Sequence, residues 1–333
     1  MPNLASTVSS VELGPMLSDR PILTLDTLYE AAAVLNFTPG WVPRAKPILW
    51  GEPRPELLPA HWTYQEAKAG LDAAGRLIDV SLAERRNLVM RNPAPGTNFE
   101  TTRTLVCAYQ MILPGEFAPA HRHSSHALRV IIDGEGSFSV VNGEKTPMET
   151  GDVVLTPGWC WHAHGHDGDK AAYWFDGLDV PLTQLLEPMF YEEHPQRREK
   201  IERVATTSPY RFARADIARK LDKVKADPEG FHGERIDLAA PEMPTMGLTV
   251  ERLTTGAGTR RYRTTANTIF HVMEGSGRTT IGGKQFSWTR GDTIAAPCWH
   301  TINHHASSDA QLFVLSDEPL LRFSNYYRFE AVD

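Results

Sequence analysis

GEFAPAHRH over residues 115–123 and GDVVLTPGWCWHAHG over residues 151–165 are the two stretches on which the fold turns. Successive side chains of a strand point to opposite faces, so His121 and His123 share one face. His162 comes after a turn marked by Gly151-Asp152, Pro157 and Gly158, on a later strand. A barrel brings such strands side by side, and three imidazoles then meet at one point. Taken singly, each of these histidines reads as a satisfied polar residue. The H-x-H pair with a third histidine behind a Gly/Pro turn reads as a metal site. The local density agrees: six of the thirteen histidines lie between residues 121 and 166, namely His121, His123, His126, His162, His164 and His166.

Around this constellation, from about Thr101, the chain is written in short β-type runs: TLVCAYQMI, LRVIID, GSFSVV, DVVLT and AAYWFDGL. Punctuated by Gly, Pro and Asp, they imply an antiparallel sandwich or barrel. A second block repeats the first. Gly134-Glu135-Gly136 recurs as Gly275-Ser276-Gly277, 141 residues on, and Gly151-Asp152 with Pro157 and Trp159 recurs as Gly291-Asp292 with Pro297 and Trp299, 140 residues on. The Asn142-Gly143 turn recurs as Gly282-Gly283. An offset held over several turn markers is the mark of a duplicated domain. Helical signals precede residue 90: Thr27-x-x-Glu30 and Thr63-x-x-Glu66 read as capping boxes opening Ala-rich runs, joined by an extended Pro-rich connection. The expected organisation is an N-terminal arm and helical segment over 1–100, a first barrel over 101–180, a helical linker over 181–235 and a second barrel over 236–333.

With Gly256 set on Gly115, the second block carries Tyr262 and Thr264 where the first has His121 and His123, and Ile302 where it has His162. His271, His300, His304 and His305 remain there without an H-x-H partner, so the second barrel reads as structural. Cys160 lies two residues before His162. It is a fourth ligand, a redox sensor or a small wall residue, and the general behaviour of free cysteine favours the last.

Composition narrows the function. The chain has 333 residues, 25 Gly and 24 Pro, 41% hydrophobic residues and a formal net charge of −7. That is a turn-rich globular protein, with no Lys/Arg block dense enough to track a phosphate backbone, so nucleic acid is excluded as a partner. No stretch approaches the roughly 20 apolar residues that span a bilayer. The N-terminal MPNLASTVSSVELGP lacks the basic start and apolar core of a signal peptide and reads as a loose arm or a strap across a partner subunit. Three cysteines far apart, Cys107, Cys160 and Cys298, suit a reducing cytoplasm.

The spacing Gly115-x5-His121-x-His123 with Gly151-x5-Pro157-x-Trp159-x2-His162 resembles the two cupin motifs. Many cupins add a glutamate ligand four or five residues after the H-x-H, where this chain has Leu128, followed by Arg129. Three imidazoles without a carboxylate leave the metal's charge uncompensated, which favours an anionic chelating ligand. More specifically, LPGEFAPAHRHSSHALRVIIDGEGSFSVVNGE, GDVVLTPGWCWHAHG and WFDGLDVPL are similar to the bicupin gentisate 1,2-dioxygenases and their salicylate and 1-hydroxy-2-naphthoate dioxygenase relatives. Weaker likeness runs through nearly the whole chain.

That resemblance implies a mainly β bicupin, two jelly-roll barrels with N-terminal and linker helices. It also implies a homotetramer with Fe(II) on His121, His123 and His162. It implies a 2-hydroxybenzoate-type acid and O2 as substrates, with the ring opened between the carboxyl- and hydroxyl-bearing carbons. Arg129 matches the family's A-L-R motif and would clamp the carboxylate, as Arg suits a planar bidentate grip. His164 matches the second histidine of W-H-x-H-G and would move a proton. Trp174 and Asp176 match positions lining and bracing the site. Arg85, or Arg86 beside it, would supply a second cation. Gln110 is a further lining residue. His126 stands where a small polar residue is expected, so the pocket differs, and gentisate, salicylate, a 5-substituted salicylate and 1-hydroxy-2-naphthoate all stay open as the ring. A non-redox metallocupin isomerase or lyase is the alternative of another class; the missing glutamate and the intact A-L-R motif count against it.

Overall fold

The computed structural model describes residues 22–43 and 47–333, in two compact units, Met1–Glu52 and Pro53–Asp333. The arm MPNLASTVSSVELGP lies outside the described residues. In the first unit the helix Leu25–Val34 starts earlier than its sequence suggests. Thr24, not Thr27, is the N-cap, and Thr27 is the reciprocal member of the box. Thr24 is extended, so its hydroxyl meets the Thr27 N–H at 3.2 Å, and the Thr27 hydroxyl turns back to the N-cap backbone.

The second unit holds two barrels of two sheets each. The first barrel's sheets run Arg211–Phe212, Val153–Thr156, Ala127–Asp133, Ala172–Leu178, Val106–Ile112, Arg86–Val89, and Tyr191–Glu193, Phe117–His123, His162–His166, Ser137–Val141, Glu144–Pro147, Arg203–Val204. The second barrel repeats the first order as Ala60–Trp62, Thr293–Ala296, Thr268–Glu274, Ala310–Ser316, Gly247–Leu253, Glu234–Asp237. Its other sheet runs Lys284–Thr289, Ser276–Ile281, Ile302–Ala306, Tyr262–Thr264, Phe329–Ala331. The expected duplication is present, and the chain is mainly β.

The repeat extends further than the turn markers show, and it crosses over. Ala60–Trp62 precedes the first barrel in sequence but adds a strand to the second; Arg211–Phe212 precedes the second but adds one to the first. Each runs straight into a helix, Tyr64–Leu77 and Arg214–Leu221, and Trp62, Tyr64 and Leu71 correspond to Phe212, Arg214 and Leu221 at an offset of 150. The Thr63 side chain makes no cap hydrogen bond, contrary to the expected capping box. The open N–H of Tyr64 donates instead to Asp292 Oδ1 at 2.8 Å, and that of Arg214 to Asp152 Oδ1 at 2.9 Å. The Gly-Asp turn of each barrel thus caps the helix of the strap that reaches it.

The linker is less helical than it reads. Pro188 and Pro195 interrupt QLLEPMFYEEHPQRREKIERV, and the helix stops at Val180–Leu185. Tyr191–Glu193 then pairs with the open edge of Phe117–His123, Tyr191 opposite His123 and Glu193 opposite His121.

The main core lies between the barrels. Tyr109, Leu128, Val130, Tyr173 and Phe175 pack there against Val250, Ile269, Phe313 and Leu315. Fully burying each such side chain contributes roughly 1.5–3 kcal/mol. Gly177 marks a close approach, since a Cβ there would lie 2.5 Å from Leu315 Cδ2. The opposite parity of the same strands turns into the first barrel, where Ile112, Ile131, Val154 and Trp174 form a small cluster. No helix among the described residues is long and apolar enough to cross a membrane.

Candidate metal centre

His121 and His123 sit on one face of Phe117–His123, and His162 opens the neighbouring strand directly opposite His121. The turn before His162 holds Trp159 at φ +66°, and its N–H donates to His123 O at 2.7 Å, locking the two strand ends together. Ring centroids lie 4.4 Å (His121–His162), 4.9 Å (His123–His162) and 5.3 Å (His121–His123) apart. One nitrogen from each ring falls within 4.8 Å of the others. All three rings are buried, and each Nδ1 has an outer partner. His123 Nδ1 is 2.8 Å from Ser125 O, His162 Nδ1 is 3.1 Å from Cys160 O, and His121 Nδ1 is 3.3 Å from the Tyr191 hydroxyl.

The Nε2 atoms are left for the centre, and His162 Nε2 is buried without a partner among the described residues. Burial, and next the Arg85 charge, push His121 down to about 2. Burial takes His123 down to about 4, against the Ser125 hydrogen bond, and holds His162 well below the usual histidine range. Neutral imidazoles with convergent, unpaired nitrogens and ordered outer partners are the donor set of a metal ion. Cys160 is not among the convergent donors: its Sγ takes a hydrogen bond from Asn142.

Among the described residues no carboxylate joins the triad. Ala127, Arg129 and Ile131 carry the inward parity of their strand, whereas Leu128 is in the core between the barrels. The inward position that offers no carboxylate is therefore Ala127. Arg129 is buried, with Nη1 donating to Thr156 Oγ1 and Nε 3.4 Å from Asp176 Oδ1. Trp174 Nε1 donates to the same Asp176 oxygen at 3.1 Å. Burial raises the Asp176 carboxyl to about 6, although the Arg129 charge opposes it. Gln110 is buried opposite Trp174 in the next strand.

His164 is buried beside the triad, 6.0 Å from the His162 ring and 5.8 Å from Trp174, with neither ring nitrogen hydrogen-bonded among the described residues. Arg85 and Arg86 part company. Arg86 is committed to a bidentate ion pair with Glu116 at 2.6 and 2.7 Å and to Ile78 O. Arg85 donates to Pro119 O at 2.9 Å, and burial, then the charge of Arg129, lower it to about 10. His126 takes the Gly158 N–H on Nδ1 at 2.9 Å, and its own N–H goes to Asp179, so its ring braces the turn before His162. Tyr191 and the carbonyls of Ser125 and Cys160 carried no sequence signal. They reach the site only through the turns and the edge pairing.

In the second barrel Tyr262 faces Ile302 as His121 faces His162. His271 bonds Thr293 and stacks on Phe175, His304 bonds Thr279, and His300 bonds Pro297 O. Among the described residues the metal-type cluster found is the His121–His123–His162 group.

The cupin domain family model matches residues 108–180. Gentisate 1,2-dioxygenase 1 of Aquipseudomonas alcaligenes is 36% identical over 309 residues, 84% of this chain and 89% of that protein. A 5-aminosalicylate 1,2-dioxygenase of Comamonas sp is 30% identical over 340 residues, 92% and 90% of the two chains. Among solved structures, salicylate 1,2-dioxygenase from Pseudoaminobacter salicylatoxidans with gentisate superposes with a TM-score of 0.82 at 27% identity, covering 94% of this chain and 95% of that one.

Proposed function

Since the chain belongs to the bicupin family of gentisate, salicylate and related aromatic-acid 1,2-dioxygenases, ring-cleaving enzymes that incorporate O2, we propose that it opens a 2-hydroxybenzoate-type acid, gentisate first, between the carboxyl- and hydroxyl-bearing carbons, using Fe(II) held by His121, His123 and His162. Bound there, iron(II) supplies Lewis acidity toward the ring hydroxyl and the redox couple that O2 chemistry requires. The observation that carries the reading is a buried three-histidine centre with no carboxylate ligand among the described residues and a buried guanidinium, Arg129, on the barrel's other sheet.

Arg129 grips the substrate carboxylate. Among the described residues its Nε has no hydrogen bond and only the 3.4 Å approach of Asp176, so it is poised to exchange that neighbour for an anion. Asp176 sets the guanidinium's orientation from behind and is itself held by Trp174. Arg85 adds positive charge, which lowers the free energy of a dianionic substrate in a dry chamber. His164, neutral because burial lowers its pKa well below the ordinary value, offers a ring nitrogen to hold or relay the proton of a ring hydroxyl. Trp174 and Gln110 line the ring's place, and His126 shapes it through the Gly158 turn. A salicylate, a 5-substituted salicylate or 1-hydroxy-2-naphthoate are the other rings this chemistry admits; 5-aminosalicylate and 1-hydroxy-2-naphthoate dioxygenases are among its relatives. We place the enzyme in the cytoplasm, in keeping with three free cysteines, as a homotetramer; exposed Phe37, Trp41 and Leu49 are apolar surface of the kind subunits cover.

The test is oxygen uptake with gentisate, salicylate, 5-aminosalicylate and 1-hydroxy-2-naphthoate on protein reconstituted with Fe(II). The expected result is uptake matched by absorbance of a ring-opened acid. Tight zinc with no uptake on any of the four acids would sink the reading.

A further inference from the structure

The three imidazoles are not held alike. His123 and His162 each turn Nδ1 toward a carbonyl two residues away in their own turns, Ser125 O and Cys160 O, with the Ser125 hydroxyl also 3.0 Å from His123 Nδ1. A carbonyl only accepts, so it fixes the proton on Nδ1 and frees Nε2. Among the described residues His121 has no such carbonyl. The partner of its Nδ1 is the phenol of Tyr191, 3.3 Å away on a segment some 70 residues further along, and the two ring centroids are 5.0 Å apart. A hydroxyl donates as readily as it accepts, so this contact sets the His121 tautomer only when the hydroxyl is present and correctly turned.

The duplicated barrel supplies an internal comparison. Tyr191 pairs opposite His123, and Phe329 pairs opposite Thr264, the residue in the place of His123. There the edge residue has no hydroxyl, and its ring stacks on Tyr262, the residue in the place of His121, at 5.4 Å and 14°. The barrel that lacks the ligand also lacks the hydroxyl beside it.

We propose that Tyr191 is a positioning residue of the metal centre: its hydroxyl accepts from Nδ1–H of His121 and so holds Nε2 toward the ion. The inference rests on the reading of His121, His123 and His162 as the ligand set. It also makes the linker strand Tyr191–Glu193, and not only the barrel, part of the metal site.

The test uses the full chain stripped of metal, with zinc as a redox-silent probe. Tyr191→Phe keeps the ring and removes the oxygen. Expected are a zinc affinity lower by about tenfold, the low end for outer partners of metal-bound histidine, an unchanged melting temperature of the metal-free protein, and loss of the single Nδ1–H tautomer of His121 in ring-nitrogen NMR. Equal zinc affinity overturns the proposal, and so does an affinity loss matched by an equal loss of metal-free stability. If the unaltered chain binds no zinc that His123→Ala removes, the ligand set itself is wrong, and that outcome is distinct from the others.

Discussion

Arg129 is enclosed on every side by protein, yet its Nε is left with only a 3.4 Å approach to Asp176. Under the proposed function, this buried, half-satisfied guanidinium takes up the substrate's carboxylate. Arg129→Met removes a hydrogen bond to a charged group, of the order of 1.5–3 kcal/mol. The expected loss in kcat/KM is therefore roughly 10- to 150-fold, falling mainly on KM, with metal content unchanged. Steady-state kinetics with gentisate checks it; an unaltered KM would remove Arg129 from the substrate's carboxylate. In the other barrel, Glu251 takes the Gly233 N–H at 2.7 Å with His232 Nδ1 at 3.6 Å. Burial raises its pKa, but His232 and His304 more than offset that and bring it down to about 2. A depressed folded-state value means stability that is fully present above the unfolded pKa of about 4.3 and lost as pH falls toward 2. Glu251→Gln is thus destabilising at pH 7, and the gap between variant and parent narrows as pH falls from that unfolded value to the folded-state value of about 2. Urea unfolding at pH 7 and at pH 3.5 measures the change.

At the scale of elements, the two straps decide how the barrels are tied. Each is a short edge strand followed by a helix whose first open N–H is met by the aspartate of the other barrel's Gly-Asp turn. Asp292→Ala removes the Tyr64 cap and the 3.2 Å contact to His61. Loss of such a cap costs about 1–2 kcal/mol. Asp152→Ala is expected to cost more, because it also strips Arg211, paired at 2.6 Å, of its buried partner. Denaturant midpoints read both, and Asp292→Ala should leave zinc binding at the first barrel untouched. A variant as stable as the parent would show that the straps are held by strand pairing alone.

For the whole molecule, duplication has separated two roles. The first barrel keeps the histidines. The second fills the same inward positions with Tyr262, Thr264 and Ile302 and buries His271 against the first barrel's Phe175. One ion per chain is therefore expected on elemental analysis after reconstitution, and none after His162→Ala. At 100 times its dissociation constant, a ligand of the native state alone stabilises by about 2.7 kcal/mol, so chelation should lower the melting temperature. A ratio of two per chain would contradict the division of labour.

The sequence by itself determined the strands, the duplication and the meeting of His121, His123 and His162 at one point. Alternation along a strand is local, so H-x-H fixed a shared face, and Gly, Pro and Asp fixed the turns that return His162 to it. The constant offset of the turn markers revealed two barrels for the same reason. What only the tertiary structure decided depends on partners distant in the chain. It assigned Arg86 to Glu116 and left Arg85 near the triad, although the two are adjacent in sequence. It turned Leu128 outward and left Ala127 as the inward position lacking a carboxylate. It moved the cap of the helix Tyr64–Leu77 from Thr63 to Asp292, and it broke the expected linker helix at its prolines to cover an open strand edge. Tyr191 reached His121 by that last step. Edge pairing is a long-range contact with no local sequence signature, so no reading of the chain alone places that hydroxyl beside the metal site.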